Sequence, residues 1–277
     1  MIKSVNQWSF PADYSAKDCL LAAKKAGYAG FEPAFNAEGE MSPETFVKDA
    51  KELRELAAKE GMILTSLASG VYWSYPLTAT DPAVRDKAKR LIRAQIDCAA
   101  ALGVDSILVV PGTVGRGFWG GDDNVSYADA YRRALEGVKE VAPYAEKMGV
   151  TIALENVWNN FLLSPLEFAG FIDEVGSARV GVYFDIGNVI RTGEAEHWIK
   201  VLGKRISRMH IKDFKRSVGT LDGFCDLLCG DVNFPEVVKA MKEIGYDGAV
   251  TAEMNIESRN AIAVVERTKL AMDIIFA

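Results

Sequence analysis

Thr151–Glu155 (TIALE), Val180–Asp185 (VGVYFD), Ile206–His210 (ISRMH) and Ala249–Glu253 (AVTAE) share one design: a short, mostly apolar or β-branched run ending on Glu, Asp, His and Glu in turn. Runs of this kind read as buried parallel strands. Parallel strands closed into a barrel bring their carboxyl ends to one mouth, where chemistry concentrates. Glu155, Asp185, His210 and Glu253 would then converge there. Two Glu, one Asp and one neutral imidazole make a mixed O/N donor set suited to a divalent ion, Mn²⁺ first, with Mg²⁺, Co²⁺ and Zn²⁺ as competitors.

Working outward, strand-like and helix-like segments alternate along the whole chain. Further strands are expected near Ser4–Ser9, Gly30–Ala34, Ile63–Ala68 and Ser106–Val110. Helices are expected near Ser15–Ala26, Pro43–Glu60, Pro82–Leu102, Ser126–Lys147, Pro165–Glu174, Ala195–Leu202, Phe234–Ile244 and Glu257–Ile275. Ser42-Pro43, Asp81-Pro82 and Ser164-Pro165 place a capping residue before proline, a helix-start signal. Gly27, Gly61, Gly103, Gly149 and Gly245 stand where helices should stop. Eight β-α pairs predict an α/β fold, a (β/α)8 TIM barrel, formed as a single domain over residues 1–277. A weak internal echo, Lys25–Glu32 (KAGYAGFE) against Glu243–Glu253 (EIGYDGAVTAE), fits the same α-to-β connection.

Composition narrows the function. Hydrophobic residues make up 49% of the 277, enough for a large core. The 32 basic and 38 acidic residues leave a net charge of −6 with no basic stripe, so a nucleic-acid partner is not expected. MIKSVNQWSF lacks the apolar core of a signal peptide, and no 18-residue apolar run follows. A cytoplasmic protein without membrane contact is therefore expected. Cys19, Cys98, Cys225 and Cys229 read as reduced thiols. The Gly-rich Gly112–Gly121 (GTVGRGFWGG) lacks the Lys-Ser/Thr ending of a phosphate loop and the dinucleotide spacing.

Only two histidines occur. His197 lies in a helical stretch (GEAEHWIK), whereas His210 ends a strand and opens His-Ile-Lys-Asp. Three carboxylates gathered at one mouth with a His would repel one another unless a cation sits among them. The competing reading is neutralisation by Arg or Lys. Asn156 could orient Glu155 from behind.

Leu154-Glu155-Asn156, Phe184-Asp185-Ile186-Gly187-Asn188, His210-Ile211-Lys212-Asp213 and Ala252-Glu253-Met254 together resemble the xylose isomerase-like TIM-barrel superfamily. Within it, Asp-Ile-Gly-Asn with His-Ile-Lys-Asp is most similar to the L-ribulose-5-phosphate and L-xylulose-5-phosphate 3-epimerases, beside the ketose 3-epimerases. Gly230-Asp231-Val232-Asn233-Phe234 followed by Gly245-Tyr246-Asp247-Gly248 resembles the same branch. The resemblance implies a divalent metal, Mn²⁺ or a similar ion, on Glu155, Asp185, His210 and Glu253. It also implies that Glu155 and Glu253 are the acid-base pair of a sugar or sugar-phosphate 3-epimerase. One carboxylate would remove the C3 proton, the metal would stabilise the cis-enediolate, and the other carboxylate would return a proton to the opposite face. The substrate implied is a ketose or ketose phosphate, and family analogy suggests a homodimer or homotetramer.

The free-ketose epimerases of the tagatose/psicose type carry a His where this chain has Asn188, which favours the phosphopentulose branch. Leu228-Cys229-Gly230 departs from the usual Gly-Glu/Cys-Gly, so that loop should differ. Lys215 and Arg216 could hold a phosphate or serve as a solvated turn. Asn188, Trp119 and Glu32 are further candidates for substrate contact, Trp119 or Trp158 by stacking on a sugar face and Glu32 through hydroxyls. Three rivals share the fold: a metal-dependent dehydratase of inosose or dehydroshikimate type, an apurinic endonuclease, and a barrel that only binds sugar. Two histidines are too few for the His-rich three-metal cluster of the second, and intact Glu155 and Glu253 argue against the third.

Overall fold

The computed structural model describes residues 1–117, 122–254 and 260–277. Its eight main strands are β1 (Ile2–Asn6), β2 (Gly30–Glu32), β3 (Ile63–Leu64), β4 (Ser106–Val109), β5 (Thr151–Glu155), β6 (Val180–Asp185), β7 (Ile206–Ile211) and β8 (Ala249–Ala252). They alternate with α1 (Ala16–Lys25), α2 (Phe46–Glu60), α3 (Pro82–Leu102), α4 (Tyr127–Met148), α5 (Pro165–Val175), α6 (Ala195–Leu202), α7 (Phe234–Glu243) and α8 (Ala261–Ile275). The strands form one sheet in the order β3-β2-β1-β8-β7-β6-β5-β4, with parallel neighbours throughout. This is the expected TIM barrel.

The ring closes where its two outer strands meet, and the contact is narrow. Leu67, past the end of β3, bridges Ile107 of β4. Its N–H donates to the Ser106 carbonyl at 3.1 Å, and its carbonyl accepts from the Leu108 N–H at 3.0 Å. Buried Gln95 of α3 braces this seam, its Nε2 donating to the carbonyls of Leu67 (2.9 Å) and Leu108 (3.2 Å). The Tyr72 hydroxyl donates to Oε1 of the same amide.

Strand alternation sends successive side chains to opposite faces of the sheet. In β6, Phe184 points outward and stacks on Trp198 of α6, with centroids 6.3 Å apart, while Tyr183 reaches across the barrel to Glu32 and Ser66. Helix starts follow the expected chemistry at Asp81-Pro82 and Ser164-Pro165, whose side chains accept the N–H groups of Ala83 and Glu167. Gly61, Gly103 and Gly149 end their helices in the left-handed region that suits glycine.

Several boundaries differ from expectation. The first strand ends at Asn6 because its side chain accepts the Trp8 N–H (2.7 Å) and caps a short turn over Gln7–Ser9. The expected Gly30–Ala34 strand breaks at Pro33, which has no N–H for a ladder; Ala34–Phe35 then pairs separately with Ala68–Ser69. The second helix starts at Phe46, not Pro43: the Thr45 hydroxyl donates to Gly39 and makes no cap, and Ser42–Thr45 forms a turn. Among the described residues, no helix is long and apolar enough to cross a membrane.

Candidate metal centre

Register delivers the four strand-end residues to one point. Asp185 of β6 stands opposite His210 of β7, and His210 stands opposite Thr251 of β8. Glu253 follows two residues after Thr251 and so faces the same side. Glu155 ends β5 opposite Tyr183, two residues before Asp185. One ligand atom from each of Glu155, Asp185, His210 and Glu253 can be chosen so that all lie within 4.8 Å of one another.

Local hydrogen bonds hold these residues in place. Asn156 clamps the Asp185 backbone from both sides: its Oδ1 accepts the Asp185 N–H and its Nδ2 donates to the Asp185 carbonyl, each at 2.8 Å. Asp185 Oδ1 accepts the Asn188 N–H (2.8 Å), leaving Oδ2 turned toward the centre. Gly187 permits the tight passage beyond, since a Cβ there would lie 2.5 Å from the Lys212 Cβ. Asp213 pins the loop after β7 by accepting the N–H groups of Phe214, Gly230 and Val232 at 2.9, 2.8 and 3.2 Å.

Glu32 reaches the centre from beneath rather than from the pocket. It is fully buried and accepts from Asn6 Nδ2, Ser66 Oγ and the Tyr183 hydroxyl, each at 2.5 Å. His210 Nε2 lies 2.7 Å from its Oε2. A carboxylate with these donors can only accept, so Nε2 carries a proton toward Glu32 and Nδ1 faces the three other carboxylates. Glu253 Oε2 is 2.7 Å from Nδ1, Glu155 Oε1 is 3.7 Å and Asp185 Oδ2 is 4.0 Å. This carboxylate-histidine pair is the arrangement that orients a metal-binding imidazole.

Lys212 brings a cation to the same point. Its Nζ lies 3.0 Å from both Asp185 Oδ2 and Glu253 Oε2. The alternatives of metal or lysine for the strand-end carboxylates therefore meet at one place. Negative charge still predominates, however. Among the described residues, even with His210 protonated, two cations face the four carboxylates of Glu32, Glu155, Asp185 and Glu253. Burial, reinforced by the Glu253 charge, pushes the Glu155 carboxyl up to about 7. Burial also acts to raise Glu253, but Lys212 and His210 outweigh it and hold that carboxyl near 2.

The fit to a divalent cation is visible in the hydrogen bonding. Asp185 Oδ2, His210 Nδ1 and Glu253 Oε2 are buried and make no well-formed hydrogen bond despite their close neighbours. Their near neighbours, at 2.7–3.0 Å, are one another and the Lys212 ammonium, so charge contact rather than hydrogen bonding holds them. All three point at the same centre, and with Glu155 they form the mixed O/N donor set of a divalent ion.

Above the centre lies a cavity of about 200 Å³. Its walls are largely apolar, with Trp8, Trp73, Leu108, Val110, Trp158 and Phe224, and its polar lining includes Glu155, Asn188, Lys212 and Glu253. Trp158 packs against Phe214 and Phe224 at 5.3 Å each, and its Nε1 donates to the Asn188 carbonyl.

The other expected residues divide. Asn188 lines the cavity, although its Nδ2 donates to the Asn156 carbonyl (3.0 Å). Arg216 and Lys215 are exposed and are not among the lining residues described. Arg216 instead ties the loop after β6, donating to the Ile190 and Gly193 carbonyls and pairing with Glu194. Trp119 lies outside the described residues. Lys212, Trp8 and Trp73 carry no marked signal in the sequence, and Lys212 alone was foreshadowed by its place in His-Ile-Lys-Asp.

Known proteins share this architecture. An uncharacterised Methanocaldococcus jannaschii protein, MJ1311, is 29% identical over 199 residues; the match covers 69% of this chain and 64% of that protein. An L-ribulose 3-epimerase from Methylomonas sp. (strain DH-1) is 27% identical over 263 residues, covering 89% of this chain and 81% of the relative. The crystal structure of a D-psicose 3-epimerase in the presence of D-fructose superposes with a TM-score of 0.81 at 18% identity, covering 99% of this chain and 98% of the other. Residues 20–273 match the sequence profile of one family across nearly the whole barrel, and the chain belongs to it: the xylose isomerase-like TIM barrel family.

Proposed function

We propose that this chain is a divalent-metal-dependent 3-epimerase of a ketose or ketose phosphate. The observation that carries the reading is the convergence of Glu155, Asp185, His210 and Glu253, with ligand atoms within 4.8 Å of one another, beneath a cavity of about 200 Å³. Sequence similarity to a ketose 3-epimerase supports the choice of reaction.

Inversion beside a carbonyl needs a base on one face of the carbon and an acid on the other. Glu155 ends β5 and Glu253 follows β8, both line the cavity, and β6 and β7 lie between them, so they can approach a substrate from two sides. One removes the C3 proton and the other returns a proton to the opposite face. A divalent ion on the four residues, Mn²⁺ by preference, would polarise the substrate's oxygens and offset the charge developing on them. Glu32 holds His210 as a donor at Nε2, and aromatic side chains wall the cavity in which the reacting carbon would sit. Asn188 contributes a polar edge to the same cavity.

The test is a panel of ketoses and ketose phosphates incubated with Mn²⁺-loaded protein in D₂O. Epimerised product carrying deuterium at C3 is expected. Glu155→Gln and Glu253→Gln should each lower turnover by at least ~10²-fold. Deuterium at C1 would indicate aldose-ketose isomerisation, and a dehydrated product would identify the dehydratase chemistry of the same fold. Full activity in either variant would overturn the acid-base assignment.

A further inference from the structure

We propose that Lys212 is a tethered cation that competes with the divalent ion for Asp185 and Glu253, and thereby sets how tightly the centre holds its metal. The inference rests on the metal-centre reading and adds a residue that restrains it. Lys212 Nζ sits 3.0 Å from Asp185 Oδ2 and 3.0 Å from Glu253 Oε2. Those are two of the atoms that the centre turns inward as prospective ligands. An ammonium and a divalent ion cannot share such oxygens closely without strong like-charge repulsion, least of all in a buried site.

The side chain has somewhere to go. Lys212 also lines the substrate cavity, and its Nζ lies 5.5 Å from the centroid of the Phe224 ring. Its stem is hemmed in at the base by Gly187, so the flexible end must make the adjustment. Metal entry displaces the ammonium from the two carboxylates toward the cavity, where the aromatic face and the oxygens of a substrate can receive it. In the metal-free protein the same ammonium supplies part of the missing positive charge and keeps the carboxylates from driving the strand ends apart. The lysine thus supports the empty centre and weakens the loaded one.

The experiment titrates Mn²⁺ alone into chelator-stripped wild type, Lys212→Met and Lys212→Arg, read by calorimetry and by thermal unfolding. Lys212→Met should bind Mn²⁺ at least tenfold more tightly than wild type, whereas Lys212→Arg, which keeps the charge, should not. Stripped Lys212→Met should unfold at a lower temperature than stripped wild type, and its Tm should rise more on adding Mn²⁺. If stripped Lys212→Met does not fold, the variant is purified with Mn²⁺ and the rate of metal loss to excess chelator is measured; slower loss than from wild type supports the proposal and equal or faster loss overturns it. Unchanged or weaker Mn²⁺ affinity in Lys212→Met overturns it as well. Failure of the metal-centre reading is separately visible: wild type and both variants would then all fail to bind Mn²⁺. Binding by Lys212→Met but not by wild type would mean that the lysine outcompetes the ion outright, which supports the proposal.

Discussion

Glu32 shows how much a single buried carboxylate can decide from beneath a metal centre. Four donors converge on it, one of them the His210 imidazole, so it fixes which ring nitrogen faces the centre. Glu32→Gln should lower divalent-metal affinity by about 10–100-fold, the usual effect of removing such a supporting partner, and calorimetric titration with Mn²⁺ would read it. Unaltered affinity would reduce Glu32 to a packing role. The four strand-end residues were legible in the sequence because each closes an apolar run, and polar residues in that position are conspicuous. Glu32 was visible for the same reason, but its direction was not: whether a strand-end carboxylate faces the mouth or the interior depends on the stagger between strands. Lys212 was harder still, since a lysine beyond a strand normally reads as solvated, and its partners lie 27 residues before it and 41 after it.

Among the elements, the loops after β6 and β7 carry most of the site's shape. Gly187→Ala would force a Cβ against the Lys212 backbone and Cβ, and should destabilise the protein by about 1–3 kcal/mol in denaturant unfolding, the range for overpacking. The phosphate contact foreseen for Arg216 meets a physical obstacle, because its guanidinium is engaged with loop carbonyls and Glu194. Arg191, three residues beyond Asn188, lies over the Trp158 ring, 4.9 Å from its centroid, and lines a neighbouring groove rather than the cavity above the centre. Arg216→Ala should therefore leave the phosphate-to-free-sugar ratio of kcat/KM unchanged. A fall in that ratio would return Arg216 to the phosphate. Strand-helix alternation was readable from the pattern of apolar runs, and α3 and α6 have the limits expected of them. The errors fell where side chains divert the backbone: Asn6 caps a turn, Pro33 interrupts a ladder, and Thr45 turns its hydroxyl away from the helix it precedes.

For the molecule as a whole, the centre is a concentration of negative charge inside a chain already at −6. A divalent ion bound only by the folded state should stabilise it by about 2.7 kcal/mol at a hundredfold excess over Kd. Stripping with a chelator should lower the Tm, with recovery on adding Mn²⁺ and less recovery in His210→Ala; an unresponsive Tm would count against a folded-state metal site. The barrel closure has a different bearing. Seven of its eight strand junctions are ladders, but the eighth is held by Leu67 and the Gln95 amide. Cylinders with one weak stave open there first, so amide hydrogen exchange at Leu67 and Leu108 should run ahead of exchange between β5 and β6, on the opposite flank of Glu155.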